Sequence, residues 1–280
     1  MAVSDEQLQL WSQPTSSPDF EEARKLLEEA INSAMGSQVK FEVYVQGSYA
    51  NGTNLANVSD VDIIIELAFP SMTDIPQSTE QARQEWTTTR DRVASALQKS
   101  FPKSRITVGP NAIRIETVAQ NISGDAVVAM RFVKNISTAE NVVPAGTQGM
   151  AFFRGDKRNW VINYPKLHLG NTSRKETATG NRYKRTVRIF KNIRNQCRPP
   201  AGMKYSSYLV ESLIFNVPNE LFVDSLRQTV VKCVQLLSIT PVRDLRCPNL
   251  ITKLCGEGTD QFTEAEIKSI ISDLGRYLQN

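Results

Sequence analysis

The stretch Gln46-Gly-Ser-Tyr-Ala-Asn-Gly-Thr-Asn-Leu-Ala-Asn-Val-Ser-Asp-Val-Asp-Ile-Ile-Ile65 decides how this chain is read. Just before it, Phe41-Glu-Val-Tyr-Val45 has the period-2 pattern of a strand and runs straight into Gly47-Ser48. Gly47 has no Cβ, so the backbone can turn tightly there and come close to a ligand. The next N–H groups and the Ser48 hydroxyl suit a small nest for an anion. After a loop of 11 residues, Asp60 and Asp62 lie on a second strand, Val58 to Leu67. Strand side chains alternate, so the two acids share a face, and Ile63, Ile64 and Ile65 anchor that strand in a core. Neighbouring carboxylates repel and are costly where water is scarce unless a cation compensates them. Mg²⁺ prefers such hard oxygens and binds through one or two carboxylates plus substrate phosphates. An isolated Asp-x-Asp serves a strand edge equally well; the flanking strands, Gly47-Ser48 and Gly52-Thr53 make the joint pattern specific.

Outward from this stretch, residues 20–35 carry apolar residues at helical spacing, with Ser16, Ser17 and Asp19 as caps and Gly36 as the stop. Further strands are expected at Ile106–Val108, Ala112–Val118 and Asp125–Val133, with a polar excursion over 70–81 and a helix over 82–99. After Pro165 the pattern turns helical, at 182–194, 207–215, 221–237 and 264–278. The expectation is an α+β chain: residues 1–165 as a mixed β-sheet lobe with helices, and residues 166–280 as a helical C-terminal lobe, with a cleft between them.

Of 280 residues, 40% are hydrophobic and 22% charged, enough apolar surface for a full core and against wholesale disorder or a coiled coil. No apolar run approaches the roughly 20 residues that span a bilayer, and the N-terminus lacks a signal-like pattern. A cytoplasmic protein is expected, with Cys197, Cys233, Cys247 and Cys255 as reduced thiols. Those cysteines contain no CxxC pair, and with the single His168 they make a poor zinc site. Net charge is only +4, but from Arg174 to Arg194 eight Lys/Arg face one acid, Glu176. Lys184, Arg188 and Lys191 fall on one helix face, either a solvated surface or a clamp for a polyanion.

Gly47-Ser48, Gly52-Thr53 and Ser59-Asp60-Val61-Asp62 resemble the active-site motif of the polymerase-β-type nucleotidyltransferases. More narrowly, the run is similar to the bacterial cGAS/DncV-like nucleotidyltransferases of CBASS anti-phage systems, over about residues 40–220. The resemblance implies a polymerase-β-like palm and a third acid, for which Asp125 after Ser123-Gly124 is the best match and Glu116 the competitor. The Pro that many relatives carry after that acid is absent in Asp125-Ala-Val-Val-Ala129. It further implies two Mg²⁺ ions, about 3.5–4 Å apart, on Asp60, Asp62 and Asp125. Gln46, Gly47, Ser48, Lys184 and Lys191 would hold the nucleotide and its phosphates, Ser207 would hydrogen-bond it, and Tyr208 would stack on a base.

By the same resemblance, NTPs would be joined into a cyclic di- or trinucleotide second messenger for a separate effector, with an activating RNA or protein as a further partner. The same acids would also serve an enzyme modifying RNA ends, a protein or a small molecule, and an inactive nucleotide sensor is a third reading. His168 reads as a hinge or packing residue. Asn181 could read a base edge or cap the basic helix.

Overall fold

The computed structural model describes residues 3–14, 20–36, 40–55, 60–72, 80–116, 123–134, 146–155, 159–258 and 261–279. By their contacts these residues form two units. One holds residues 17–49 and 58–165; the other holds 1–16, 50–57 and 166–280. The expected boundary at 165 thus needs two corrections: the N-terminal segment and the loop 50–57 belong with the helical unit.

The sheet unit is organised by β2 (Asp60–Met72). Along it Val61, Ile63, Ile65 and Leu67 alternate with Asp62, Ile64 and Glu66, and this period sets two faces. The first set packs with Leu27 and Ile31 of α2 (Phe20–Met35) and with Val93 and Leu97 of α4 (Glu80–Ser100). Ile63, Ile64 and Ile65 are fully buried; burial of each such side chain stabilises by about 1.5–3 kcal/mol. Trp86 of α4 donates to Val128 O at 2.8 Å, tying that helix to the sheet. Gly36, at φ +76°, ends α2 as expected, whereas the caps expected at Ser16, Ser17 and Asp19 lie outside the described residues, as do 73–79 of the expected polar excursion.

β1 (Phe41–Gln46) pairs antiparallel with β2, and β2 pairs parallel with β5 (Ser123–Lys134). The first part of β5 pairs with β4 (Ile113–Glu116), which pairs with β3 (Arg105–Val108). Its second part pairs with β6 (Thr147–Arg154), which pairs with β7 (Asn159–Asn163). β5 therefore carries both halves of a seven-stranded mixed sheet. The β6–β7 pair was not expected from the sequence.

The helical unit contains α1 (Asp5–Ser12), α5 (Pro165–Ala178), α6 (Tyr183–Gln196), α7 (Ser207–Phe215), α8 (Leu226–Ile239) and α9 (Glu264–Gln279). Pro165 opens α5, where its missing N–H costs nothing. Asn181, at φ 64°, closes α5 through its N–H to Glu176 O at 2.8 Å. It therefore does not cap α6; Thr179 Oγ1 and Glu176 Oε2 accept from the first α6 amides, Tyr183 N and Lys184 N. α6 lies at the centre, in contact with α1, α7, α8 and α9. Val187, Ile189, Phe190 and Ile193 are buried around it. Among the described residues no helix is long and apolar enough to cross a membrane.

Candidate active site

In the sheet unit, the register sets the acids. Gln46, the last residue of β1, is the partner of Asp62, so the chain turns at Gly47 directly beside that carboxylate. Gly47 has φ +72°, and a Cβ there would collide with Asp62 Oδ2. Glycine is required at this position for two independent reasons, the left-handed backbone and the close approach. Ser48 follows in the short helix α3 (Gly47–Ala50).

Across the parallel pair, Asp62 is the partner of Asp125, and adjacent strands lie about 4.7–4.9 Å apart. Gly124 permits this approach, since a Cβ there would meet Val61 O. On the other side Asp125 pairs with Arg114 of β4, whose Nη1 lies 3.5 Å from Asp125 Oδ1. Arg114 Nε also lies 3.7 Å from Glu116 Oε1. Glu116 is the partner of Ser123, so the register puts Asp125, not Glu116, beside Asp62. Asp60 opens β2 opposite Ser123; its side chain lies outside the described residues, as does Ser59. Among the described residues no group of three His, Cys, Asp or Glu is gathered in a metal-binding cluster. The described part of the acid set is the pair Asp62 and Asp125.

Further along the same face, Glu66 is buried and accepts from Tyr44 Oη at 2.8 Å and Arg131 Nε at 2.9 Å. Burial and the Glu66 charge push the Tyr44 phenol well above its usual range. This trio was missed from the sequence. Its signal was the Glu66 carboxylate at a core position two residues beyond Ile64.

In the helical unit, the basic face of α6 is largely spent on the protein itself. Arg188 is buried and donates to Gly52 O at 2.6 Å and to Ser12 O at 2.9 and 2.7 Å. Lys191 is 1% exposed. Its ammonium lies 3.2 Å from Thr53 O, 2.9 Å from Thr53 Oγ1 and 3.1 Å from Glu211 Oε1. An ammonium has three protons, so this arrangement leaves none for the phosphate that the sequence reading assigns to Lys191. Lys184 differs: it is half-buried, its Nζ lies 3.6 Å from where a Cβ on Gly52 would be, and among the described residues no acceptor meets it.

Glu211 is the hub of that buried cluster. Thr53 Oγ1 donates to Oε1 and Asn51 Nδ2 to Oε2, the latter at 3.2 Å. Burial alone would raise the Glu211 pKa, but Lys191, His168 and the Thr53 hydroxyl outweigh it and hold the carboxyl far below its usual range. Burial likewise pulls Lys191 down, against the attraction of Glu211. His168 Nε2 lies 2.9 Å from Asn51 Nδ2 and 3.5 Å from Glu211 Oε2, so it is neither isolated nor mere packing. Its ring centroid is 5.6 Å from that of Tyr208, which in turn is 6.2 Å from Phe262. Ser207, the first residue of α7, accepts from Arg194 Nη2 at 3.3 Å. The helix is capped instead by Ser206, which accepts from Leu209 N at 3.0 Å.

A glycine turn is thus held against a strand-borne carboxylate, with a second carboxylate in register on the adjacent strand. Comparison with known proteins gives the family. Residues 25–108 match the nucleotidyltransferase domain family, and residues 170–279 match the cGAS/DncV-like nucleotidyltransferase C-terminal helical domain. The chain is 28% identical to a cyclic UMP-AMP synthase of Rhodothermus marinus, over 97% of this chain and 96% of that protein. It is 30% identical to a cyclic dipyrimidine nucleotide synthase, CdnE, of Cecembia lonarensis, over 79% of this chain and 78% of that protein. Among solved structures, the R. marinus CdnE c-UMP-AMP synthase with Apcpp and Upnpp superposes with a TM-score of 0.83 at 28% identity, covering 97% of this chain and 95% of that one. The chain belongs to the cGAS/DncV-like nucleotidyltransferases.

Proposed function

We propose that this enzyme joins nucleoside triphosphates into a cyclic di- or trinucleotide that serves as a second messenger in anti-phage defence. The observation that carries the reading is the register of Asp62 with Asp125 beside Gly47. Family membership supports it, since relatives matched over nearly their whole length are cyclic nucleotide synthases.

In each transfer a ribose hydroxyl oxygen of one nucleotide bonds to the α-phosphorus of another, the α–β phosphoanhydride breaks, and pyrophosphate leaves. A second transfer closes the ring of a dinucleotide, and a third closes that of a trinucleotide, each releasing one pyrophosphate. Asp125 takes the hydroxyl proton. Gln46, Gly47 and Ser48 form the turn that receives phosphate oxygens, and Lys184 offers them the ammonium that no described residue occupies. Ser207 and Tyr208 are the proposed contacts to sugar and base. The donor chemistry fits Mg²⁺: Asp62 and Asp125 are adjacent hard oxygen donors of like charge, with no histidine or thiol on their strands. Asp60, Asp62 and Asp125 would hold it. When bound it supplies charge neutralisation on the phosphates and a lowered pKa for the attacking hydroxyl.

Incubation with four NTPs and Mg²⁺, followed by phosphatase digestion and mass spectrometry, tests the reading. A phosphatase-resistant cyclic product made without added acceptor is expected, and Asp60→Asn with Asp62→Asn should abolish it. Product that appears only with added RNA termini, a protein or a small molecule assigns the acids to that other acceptor class. Repeating the assay with and without RNA shows whether RNA activates.

A further inference from the structure

Glu211 sits in the middle of α7 among Leu209, Val210, Leu213 and Ile214, all fully buried. A carboxylate there is costly to bury, and a buried ion pair is often no more stabilising than an apolar pair of the same volume. The Lys191–Glu211 pair is therefore poorly explained as a source of stability alone. Its hydrogen bonds point to another use. One carboxylate oxygen takes the Thr53 hydroxyl, the other takes the Asn51 amide, and Lys191 adds bonds to both the hydroxyl and the carbonyl of Thr53. Asn51 and Thr53 are themselves 4% and 1% exposed. Residues 51–55 contain one apolar side chain, Leu55, so packing alone holds this loop weakly and polar bonds must hold it.

We propose that Glu211 is a positioning residue for nucleotidyl transfer, acting through Thr53 and Asn51 on the loop that joins the Gly47-Ser48 turn to the Asp60/Asp62 strand. The inference rests on the proposed nucleotidyl transfer. Asn51 and Thr53 follow closely on the Gly47-Ser48 turn, so an error in the anchor is passed along the backbone to the turn proposed to receive phosphate. Lys191 serves as the counter-charge that lets a carboxylate stand at the anchor point. Displacing a reacting group by about 1 Å can cost on the order of 10²-fold in rate, whereas substrate binding that does not depend on that alignment is spared.

Two variants test this. Thr53→Val removes the hydroxyl and leaves the Lys191–Glu211 pair; Lys191→Met with Glu211→Leu replaces the pair by apolar groups of similar volume. In both, amide hydrogen exchange of a peptide covering residues 47–55 should speed up by about tenfold or more, while peptides from α8 and α9 stay unchanged. In the cyclic-product assay kcat should fall about tenfold or more, with KM for NTP moving less than about threefold. A residue that only stabilised the helical unit would lower the unfolding temperature without this kcat-specific loss in the folded enzyme. Unchanged exchange at 47–55 in folded Thr53→Val overturns the proposal, as does faster exchange with a wild-type kcat. Should the double variant fail to fold, Thr53→Val alone decides. If the wild-type enzyme makes no product from NTPs, the proposed function fails instead, and the exchange measurement still judges whether Glu211 anchors the loop.

Discussion

Gly47 stands so close to the carboxylate of Asp62 that no side chain fits between them. The turn proposed to receive phosphate and the acid proposed to hold the metal are thereby built as one rigid corner at the end of the β1–β2 pair. Gly47→Ala must relieve both a collision and a φ of +72°. The expected result is a fall in pyrophosphate release of about 10²-fold, with a stability loss of about 1 kcal/mol or more. Initial rates and chemical denaturation of the same preparation check it, and a wild-type rate would show that the corner is irrelevant to catalysis.

Asp125→Asn should lower kcat by on the order of 10²–10⁴-fold, the usual contribution of a proton acceptor in the transition state. The fold should survive, because Asp125 is 47% exposed and its bond to Arg114 is long, at 3.5 Å. Glu116→Gln should change the rate by less than about threefold, since a surface pair of this kind is worth about 0–1 kcal/mol. Equal losses in the two variants would overturn the assignment of the third acid.

The two lysines of α6 separate binding from folding. Lys184→Ala should raise KM for NTP by about 10–150-fold, in keeping with about 1.5–3 kcal/mol for a charge-assisted bond, with unchanged thermal stability. Lys191→Ala strips a buried carboxylate of its partner and should destabilise by about 3–5 kcal/mol. Urea unfolding and NTP titration of both variants read this contrast directly.

Lys175 makes stability depend on alkaline pH. Burial pulls its ammonium down to about 8 from 10.5, although Val217 O at 2.6 Å accepts from it and the rings of Tyr183, Phe215 and Phe222 lie 5.9, 5.5 and 5.2 Å from its nitrogen. Between these two pH values the unfolded chain binds more protons than the folded one, so this residue's contribution to stability rises with pH. Below about pH 8 both forms are protonated and the burial cost is at its full value. Unfolding midpoints in guanidinium between pH 7.5 and 10 should climb more steeply in wild type than in Lys175→Met. Parallel slopes would remove Lys175 as the cause.

Much of the sheet was legible in the chain. The period-2 run at 41–45, the glycine turn and the three isoleucines predict β1, the corner and β2 from local sterics and burial alone. The helices expected at 207–215 and 264–278 follow from apolar spacing in the same way, and the structure has them at Ser207–Phe215 and Glu264–Gln279. The β6–β7 pair was missed because β7 is five residues long, and its place depends on the second half of β5 offering a free edge, a long-range fact. α1 and α5 were missed as well; eight residues carry little periodicity, and α5 has only two buried side chains, Asn171 and Thr172.

The residue types and spacing around Gly47, Asp60 and Asp62 determined the chemistry this chain can attempt, because turn geometry and carboxylate repulsion act over a few residues. Only the tertiary structure decided which charges remain for a ligand. Lys184, Arg188 and Lys191 share a helix face in the sequence, yet α6 lies at the centre of its bundle, where an unpaired charge cannot stay. The buried Arg188 is consequently tied to backbone carbonyls and the buried Lys191 to Glu211 and Thr53, whereas Lys184, half-buried in the first turn of α6, keeps its ammonium available.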